Sequence, residues 1–387
     1  MAKENDNSID KHIDKLLKSI NKEFYPKDDQ RIIQRLNESS SVAGIGVIST
    51  GSVLLDDALG IGGLPKGRIV EIYGHEGSGK TTIGLHTIAE AQKLNAIENP
   101  GEEKYVLFVD AEHALDPSYA EAVGVNPDKL IVLQPDYAEQ ALQVTAGLVQ
   151  SGLISAFVID SVAALIPKAE YEGSYEDQHV GRQARVMSQA LRKMSGIMSK
   201  AEVLGIFINQ VREKIGVMFG NPETTPGGRA LKFWSTIRLS CSGKKVSDAS
   251  QRGDRAVLKV EVVKNKVAPP HKVIETDILF GHGIDSKKEI LDLGIKNDIL
   301  NKSGSWFYYK GDQIGQGLEN TKRYLEENED IFNEIKEAVL DDVYNKKPDV
   351  IEEVSDIDAS EVEELDEKFI ESMEDISSIT DEASEEI

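Results

Sequence analysis

Only one cysteine, Cys241, occurs in the 387 residues, which excludes an intramolecular disulfide and any metal site built on several thiolates. A reducing, cytoplasmic setting is the expectation. No apolar run approaches the about 20 residues that a membrane-spanning helix needs, and the first residues are polar and charged where a secretory signal would be apolar. A soluble protein with no membrane partner is expected. Basic residues are also in deficit, 44 against 67 acidic ones, for a net charge of -23. Taken whole, that balance argues against a nucleic-acid partner.

The deficit is uneven. From Asp349 to Ile387 there are 17 acidic residues against one lysine, Lys368, a net of -16, so the preceding 348 residues carry only -7. A run so acidic and so poor in aromatics cannot bury enough apolar surface to offset chain entropy, and it reads as a disordered tail, either solubilising or regulatory.

What is present is a hydrophobic content of 40%, enough at this length for one sizeable core and a smaller module. Ile9, Ile13, Leu16, Leu17, Ile20 and Phe24 recur every three or four residues and predict a helix with one apolar face, ended by Pro26. It could pack on another subunit or cap its own domain. From Val42 to Gly283, Val- and Ile-rich runs alternate with helical patterns, which indicates a largely parallel sheet covered on both faces. Thr236–Ser240 and Ala256–Val263 alternate differently and predict an antiparallel extension. Four segments result: 1–41, an N-terminal helix and linker; 42–284, the core; 285–345, a small α/β module around the Trp306–Tyr309 cluster; and 346–387, the acidic tail.

The segment Gly74, His75, Glu76, Gly77, Ser78, Gly79, Lys80, Thr81 has the pattern GxxxxGK[ST] between a strand and a helix. Backbone N–H groups in such a turn wrap phosphates, with Lys80 reaching the β- and γ-phosphates and the Thr81 hydroxyl binding Mg²⁺. ATP and Mg²⁺ are the cofactors this implies. The apolar strand Ala156–Ile159 ends in Asp160, the form of a second nucleotide motif whose carboxylate holds the hydrated magnesium. Tyr105–Val109 runs into Asp110 and Glu112, at the strand edge where open parallel sheets bind ligands. Glu112 is the candidate to polarise an attacking water, or it is a solvated strand-end acid or a helix cap. Lys264 and Lys266 flank Asn265 at a strand end, a costly pairing of like charges unless an anion faces them or water solvates them.

The stretch from Asn209 to Gly228 follows a strand-like run and shows neither helical nor strand periodicity. It mixes Arg212 and Lys214 with Ile215, Val217, Met218 and Phe219 and leaves through Gly227 and Gly228. Long loops without regular structure are uncommon in compact domains unless they serve a ligand.

These residues lie in segments by which the chain resembles the RecA family of bacterial recombinases: Ile48–Gly74, Asp110–Ala120, Val158–Gly173, Gly216–Phe233 and Val260–Pro270, continuing through Asp292–Ile295, Ser303–Gly311 and Ile314–Gly317. The resemblance implies a P-loop NTPase core of RecA type, with a twisted, mostly parallel sheet, an N-terminal helix and a small C-terminal α/β domain. It implies a DNA-dependent ATPase that forms a helical homo-oligomeric filament on single-stranded DNA and exchanges strands with double-stranded DNA. It also implies stimulation of a self-cleaving repressor in the response to DNA damage. On that resemblance Thr82, Asp116, Tyr119 and Phe280 join the nucleotide site, Glu112 activates water, and Gln210 senses the γ-phosphate. Lys264 and Lys266 reach a neighbour's nucleotide, and Phe233 relays between subunits.

By the same resemblance the DNA-binding loops are Glu170–Val180 and the Asn209–Gly228 stretch. Arg185, Arg212, Lys214, Ile215, Gly216, Val217, Met218, Phe219, Gly227 and Gly228 are their DNA-binding residues. Cations and apolar side chains together suit a stretched single strand without reading its sequence. The chain departs from the family at Phe280, where many relatives have tyrosine, in an acidic first loop, and at Gln313 and Leu318, positions often basic in relatives.

Overall fold

A computed structural model describes residues 11, 13–20, 22, 45–102, 104–174, 181–213, 223–245 and 255–345. The chain divides into two units, Met1–Leu340 and Asp341–Ile387, and of the second only residues 341–345 are described. Residues 13–20 are helical (α1), with Ile13 and Leu16 exposed. The predicted ends of that helix at Ile9 and Phe24, and the acidic run after Asp349, lie outside the described residues.

β1 (Val47–Ile48), α2 (Val53–Leu59) and β2 (Leu64–Pro65) lead into β3 (Ile69–Gly74) and α3 (Lys80–Glu98). Then come β4 (Tyr105–Asp110), α4 (Pro117–Val123), β5 (Leu130–Leu133), α5 (Ala138–Ser151), β6 (Ile154–Asp160), α6 (Lys168–Tyr171), α7 (Arg182–Ala201) and β7 (Leu204–Gln210). The core continues with β8 (Arg212–Glu213), β9 (Glu223–Thr224), α8 (Ala230–Trp234), β10 (Ile237–Lys245), β11 (Arg255–Asn265), β12 (Val273–Leu279) and β13 (Gly283–Ile284).

One nine-stranded sheet runs in the order β13-β12-β11-β10-β3-β7-β6-β4-β5. Its strands from β10 to β5 are parallel, as their Val, Ile and Phe runs predict. Side chains alternate between two buried faces. Ala156 and Val158 of β6 join the layer under α3, whereas Phe157 and Ile159 join the layer under α5 and α7. On α7 the buried residues Met187, Leu191, Met194 and Met198 recur at helical spacing, so that face seals the sheet. The Phe157 and Phe207 rings meet edge-on at 5.7 Å, and each such buried side chain contributes about 1.5–3 kcal/mol.

The antiparallel extension begins one strand later than expected. β10 pairs parallel with β3 and only β11, β12 and β13 run antiparallel. The reason is α8, which returns the chain to the starting edge of β3, where Thr236 N donates to Ile69 O at 2.8 Å.

Beyond the sheet, α9 (Ser286–Lys296) precedes β14 (Asn301–Ser303), β15 (Trp306–Tyr309) and β16 (Asp312–Gln316), a small antiparallel sheet, then α10 (Leu318–Glu327) and α11 (Glu329–Asn345). The Trp306–Tyr309 cluster is β15, with Phe307 and Tyr309 buried. Polar contacts tie this part to the core: Lys322 pairs with Asp285, and Glu289 with Ser52.

Candidate active site

Four neighbouring parallel strands, β3, β7, β6 and β4, end at the same edge of the sheet, and each delivers a functional group there. β3 opens into the Gly74–Thr81 turn, β7 ends in Gln210, β6 in Asp160 and β4 in Asp110, two residues before Glu112. Registers set this juxtaposition: Gly74 lies beside Gln210, and Asp110 beside Asp160.

Backbone geometry explains the glycines of the turn. Gly79 has φ 82° and a Cβ there would lie 2.6 Å from Ile278 Cδ1; at Gly74 a Cβ would lie 2.0 Å from Cys241 O. Lys80 is buried and its Nζ donates to His75 O at 2.6 Å, across the mouth of the turn. Burial holds the Lys80 ammonium below the usual lysine range, which favours an anion beside it.

Thr81 Oγ1 donates to Asp160 Oδ2 at 2.6 Å. Burial raises the Asp160 carboxyl to about 6 despite that hydrogen bond. Two hard oxygen donors side by side, next to a phosphate-wrapping turn, suit a divalent cation such as Mg²⁺, which keeps most of its ligands as water and phosphate.

A cleft of ≈ 260 Å³ lies against the turn, lined by Gly77 to Thr82, Tyr119, Ala256, Ile278, Phe280 and Gly281. Tyr119 Oη and Thr82 Oγ1 are 2.9 Å apart. The Asp116 carboxylate caps α4, accepting from Ser118 N at 2.9 Å and Tyr119 N at 3.3 Å, and so fixes where Tyr119 stands. Phe280 is 53% exposed and presents its ring to the cleft. An apolar wall beside a phosphate cradle is a site for a planar base.

Glu112 is exposed, and its Oε1 accepts from Gln210 Nε2 at 3.0 Å and from the Ser161 hydroxyl. Asp116, not Glu112, caps α4, and Asp110 accepts from Ala114 N at 3.0 Å in the turn before that helix. Ser161 was not anticipated from sequence, and its signal is a hydroxyl directly following a strand-terminal aspartate.

The stretch from Asn209 contains more regular structure than its sequence suggests. Asn209 and Gln210 complete β7, and β8 pairs antiparallel with β9, so Arg212 faces Thr224. The pattern is invisible to a periodicity test because each strand has only two residues. Lys214, Ile215, Gly216, Val217, Met218 and Phe219 lie outside the described residues, as do residues 175–180 of the first loop. At the exit Gly227 and Gly228 have φ 80° and 75°, and Gly227 N donates to Gln183 Oε1 at 3.2 Å. Gln183 Nε2 donates in turn to Val162 O and Leu165 O, both at 2.9 Å, fastening this exit to the end of β6. Arg185 stands exposed on α7 and Arg212 exposed on β8.

Lys264 lies at the end of β11 just before Asn265, and Lys266 follows directly beyond the strand. Within one chain they lie at the α8 side. Lys264 Nζ donates to Lys232 O at 2.6 Å and to Phe233 O at 3.3 Å. Burial and then the Lys266 charge lower the Lys264 ammonium from the ordinary lysine value. Phe233 beside it is 68% exposed.

Comparison with known proteins agrees along nearly the whole described chain. Residues 11–285 match the model of the RecA N-terminal domain, and residues 288–344 match that of the RecA C-terminal domain. A relative named Protein RecA from Staphylococcus carnosus (strain TM300) is 52% identical over 332 residues, covering 85% of this chain and 89% of its own length. Another Protein RecA, from Staphylococcus aureus (strain JH9), is 52% identical over the same length and is covered to 91%.

Proposed function

The chain belongs to the RecA family and is thus a recombination and DNA-repair protein; from that premise we propose that it hydrolyses ATP in response to single-stranded DNA, as a filament that exchanges strands with a homologous duplex. The observation that carries the reading is the contact of Gln210 with Glu112 at 3.0 Å, at the point where a phosphate-wrapping strand and a DNA-loop strand end side by side.

In this reading the turn from Gly74 to Thr81 receives the triphosphate, with its backbone N–H groups and Lys80 supplying positive potential. Thr81 and Asp160 would hold Mg²⁺, which when bound neutralises phosphate charge. Tyr119 and Phe280 wall the base, with Asp116 and Thr82 fixing Tyr119. Glu112 accepts the proton of the water that attacks the γ-phosphate, and Gln210 and Ser161 aim its carboxylate.

Gln210 adjoins both the γ-phosphate position and the start of the DNA segment, so it reports nucleotide state to that segment. Arg212, Lys214, Arg185 and the Ile215–Phe219 residues hold the strand, cations toward phosphate and apolar groups between bases, and Gly227 and Gly228 allow the segment to turn away. Lys264 and Lys266 extend toward the nucleotide of the next subunit, and Phe233 packs across the same junction. The core functions in the cytoplasm, and the assembled filament stimulates a self-cleaving repressor.

The test is ATP turnover with and without single-stranded DNA, together with electron microscopy. Stimulated turnover and helical filaments are expected. Discrete rings that unwind duplex DNA, or turnover indifferent to DNA, would overturn the proposal.

A further inference from the structure

Asn209 is completely buried at the end of β7, beside Gln210. All of its amide is used. Nδ2 donates to Glu71 Oε1 at 3.3 Å and to Pro226 O at 3.1 Å, while Oδ1 accepts from Gln210 N at 3.0 Å. One side chain therefore closes the two ends of the DNA segment on each other across 17 residues. It also ties both ends to β3, the strand that carries the phosphate turn.

Glu71 extends this anchor across the sheet. It has no exposed surface, and its second oxygen accepts from Arg238 Nε at 2.6 Å. The Arg238 guanidinium lies 4.5 Å over the centre of the Tyr73 ring, two residues further along β3. Moving one member of this buried network alone strands a donor or a charge, so its members shift together.

We propose that Asn209, held by the Glu71–Arg238 pair, is a positioning residue that makes the exit of the DNA segment and the Gln210 amide move together. When the segment seats on DNA, displacement at Pro226 reaches Gln210 N through one side chain, and from there the Gln210–Glu112 contact. Asn209 touches neither nucleotide nor DNA; its action is through Gln210. This assignment rests on the reading of Glu112 and Gln210 given above.

The experiment compares the full-length parent, Asn209→Ala, Asn209→Asp, Gln210→Ala and the double variant Asn209→Ala/Gln210→Ala. ATP turnover is measured with and without single-stranded oligothymidylate, and ATP affinity separately with a fluorescent ATP analogue. Outer-layer positioning groups typically carry about 10- to 100-fold in activity. The expected result is a loss of about tenfold or more in DNA-stimulated kcat for both Asn209 variants, with nucleotide affinity unchanged. Adding Asn209→Ala to Gln210→Ala is expected to cost nothing further, because both act through one contact.

Stimulated turnover in Asn209→Asp and Asn209→Ala equal to the parent would overturn the proposal. So would independent, multiplying losses in the double variant, or a loss confined to nucleotide affinity. Should both Asn209 variants fail to fold, Asn209 is a folding residue and the proposal falls. A parent without DNA stimulation refutes the proposed function itself, a result distinct from any of these.

Discussion

Glu289, on the first helix after the nine-stranded sheet, accepts a hydrogen bond from Ser52 Oγ at 2.7 Å across 237 residues of chain. The same carboxylate accepts from Val53 N at 2.8 Å and from Thr276 Oγ1 at 2.5 Å. One buried acid thus fastens α9 to the start of α2 and to β12. Removing it leaves three donors without their acceptor, each worth about 1–3 kcal/mol when stranded. Glu289→Ala is expected to destabilise the protein by about 3 kcal/mol in denaturant unfolding, and Glu289→Gln by less. Limited proteolysis between β13 and α9 is expected to quicken in the alanine variant.

Asp56 predicts a pH dependence. It is almost completely buried and accepts from Thr50 N at 2.9 Å, from Thr50 Oγ1 at 2.8 Å and from Ser49 Oγ at 2.5 Å. The three donors favour the carboxylate, but desolvation is the larger effect and raises it from 3.8 to about 7. Because the folded value lies above the unfolded one, the stability tied to this proton is full below the unfolded value and lost as pH rises through about 7. Asp56→Asn cannot titrate, so its melting temperature relative to the parent is expected to rise with pH through that window.

His86 runs the other way in part of the same range. Its Nε2 accepts from Ile284 N at 2.8 Å, and burial lowers it from 6.5 to about 4. Stability that needs the neutral ring is present above the unfolded value and lost as pH falls through about 4. His86→Gln is expected to remove that acid-side loss in thermal melts, while costing packing against Gly51 and Gly283, whose Cβ positions His86 already fills.

At the Gly74–Thr81 turn, Lys80→Ala is expected to abolish turnover, since in the proposed function this buried cation is the one that meets the phosphates. Glu112→Ala is expected to keep ATP binding and lower turnover by about 100-fold or more, the usual scale for a lost general base. Its filaments on DNA are expected to persist. DNA-stimulated turnover near the parent's in this variant would remove Glu112 from the base role.

Deleting the acidic run from Asp349 to Ile387 removes a net charge of -16. Duplex binding is expected to tighten, most at low salt, because the tail's field is screened beyond about 8 Å at physiological ionic strength. Binding unchanged across a salt titration would leave the run a solubilising tail.

The turn from Gly74 to Thr81 was legible in the chain because its signal is local: glycines at positive φ, then a lysine and a threonine opening a helix. The positions of Asp160 and Glu112 were legible for a similar reason, as acids at or just past the ends of apolar strands. The two-residue strands Arg212–Glu213 and Glu223–Thr224 carry no periodicity and were not. Nor was the parallel entry of Ile237–Lys245, which depends on the path of α8 rather than on any pattern within the strand.

By itself, then, the amino-acid order determined the alternation of strands and helices, the glycine turn from Gly74 to Thr81 and the acids beside it, since backbone conformation and burial preference act over a few residues. Only the tertiary structure decided that Ser161 and Gln210 meet on Glu112, that Asn209 bridges Glu71 and Pro226, and that Glu289 caps a helix 237 residues away. Those contacts exist because sheet order and register bring distant residues within hydrogen-bond range, and neither is written in the spacing of the residues that meet.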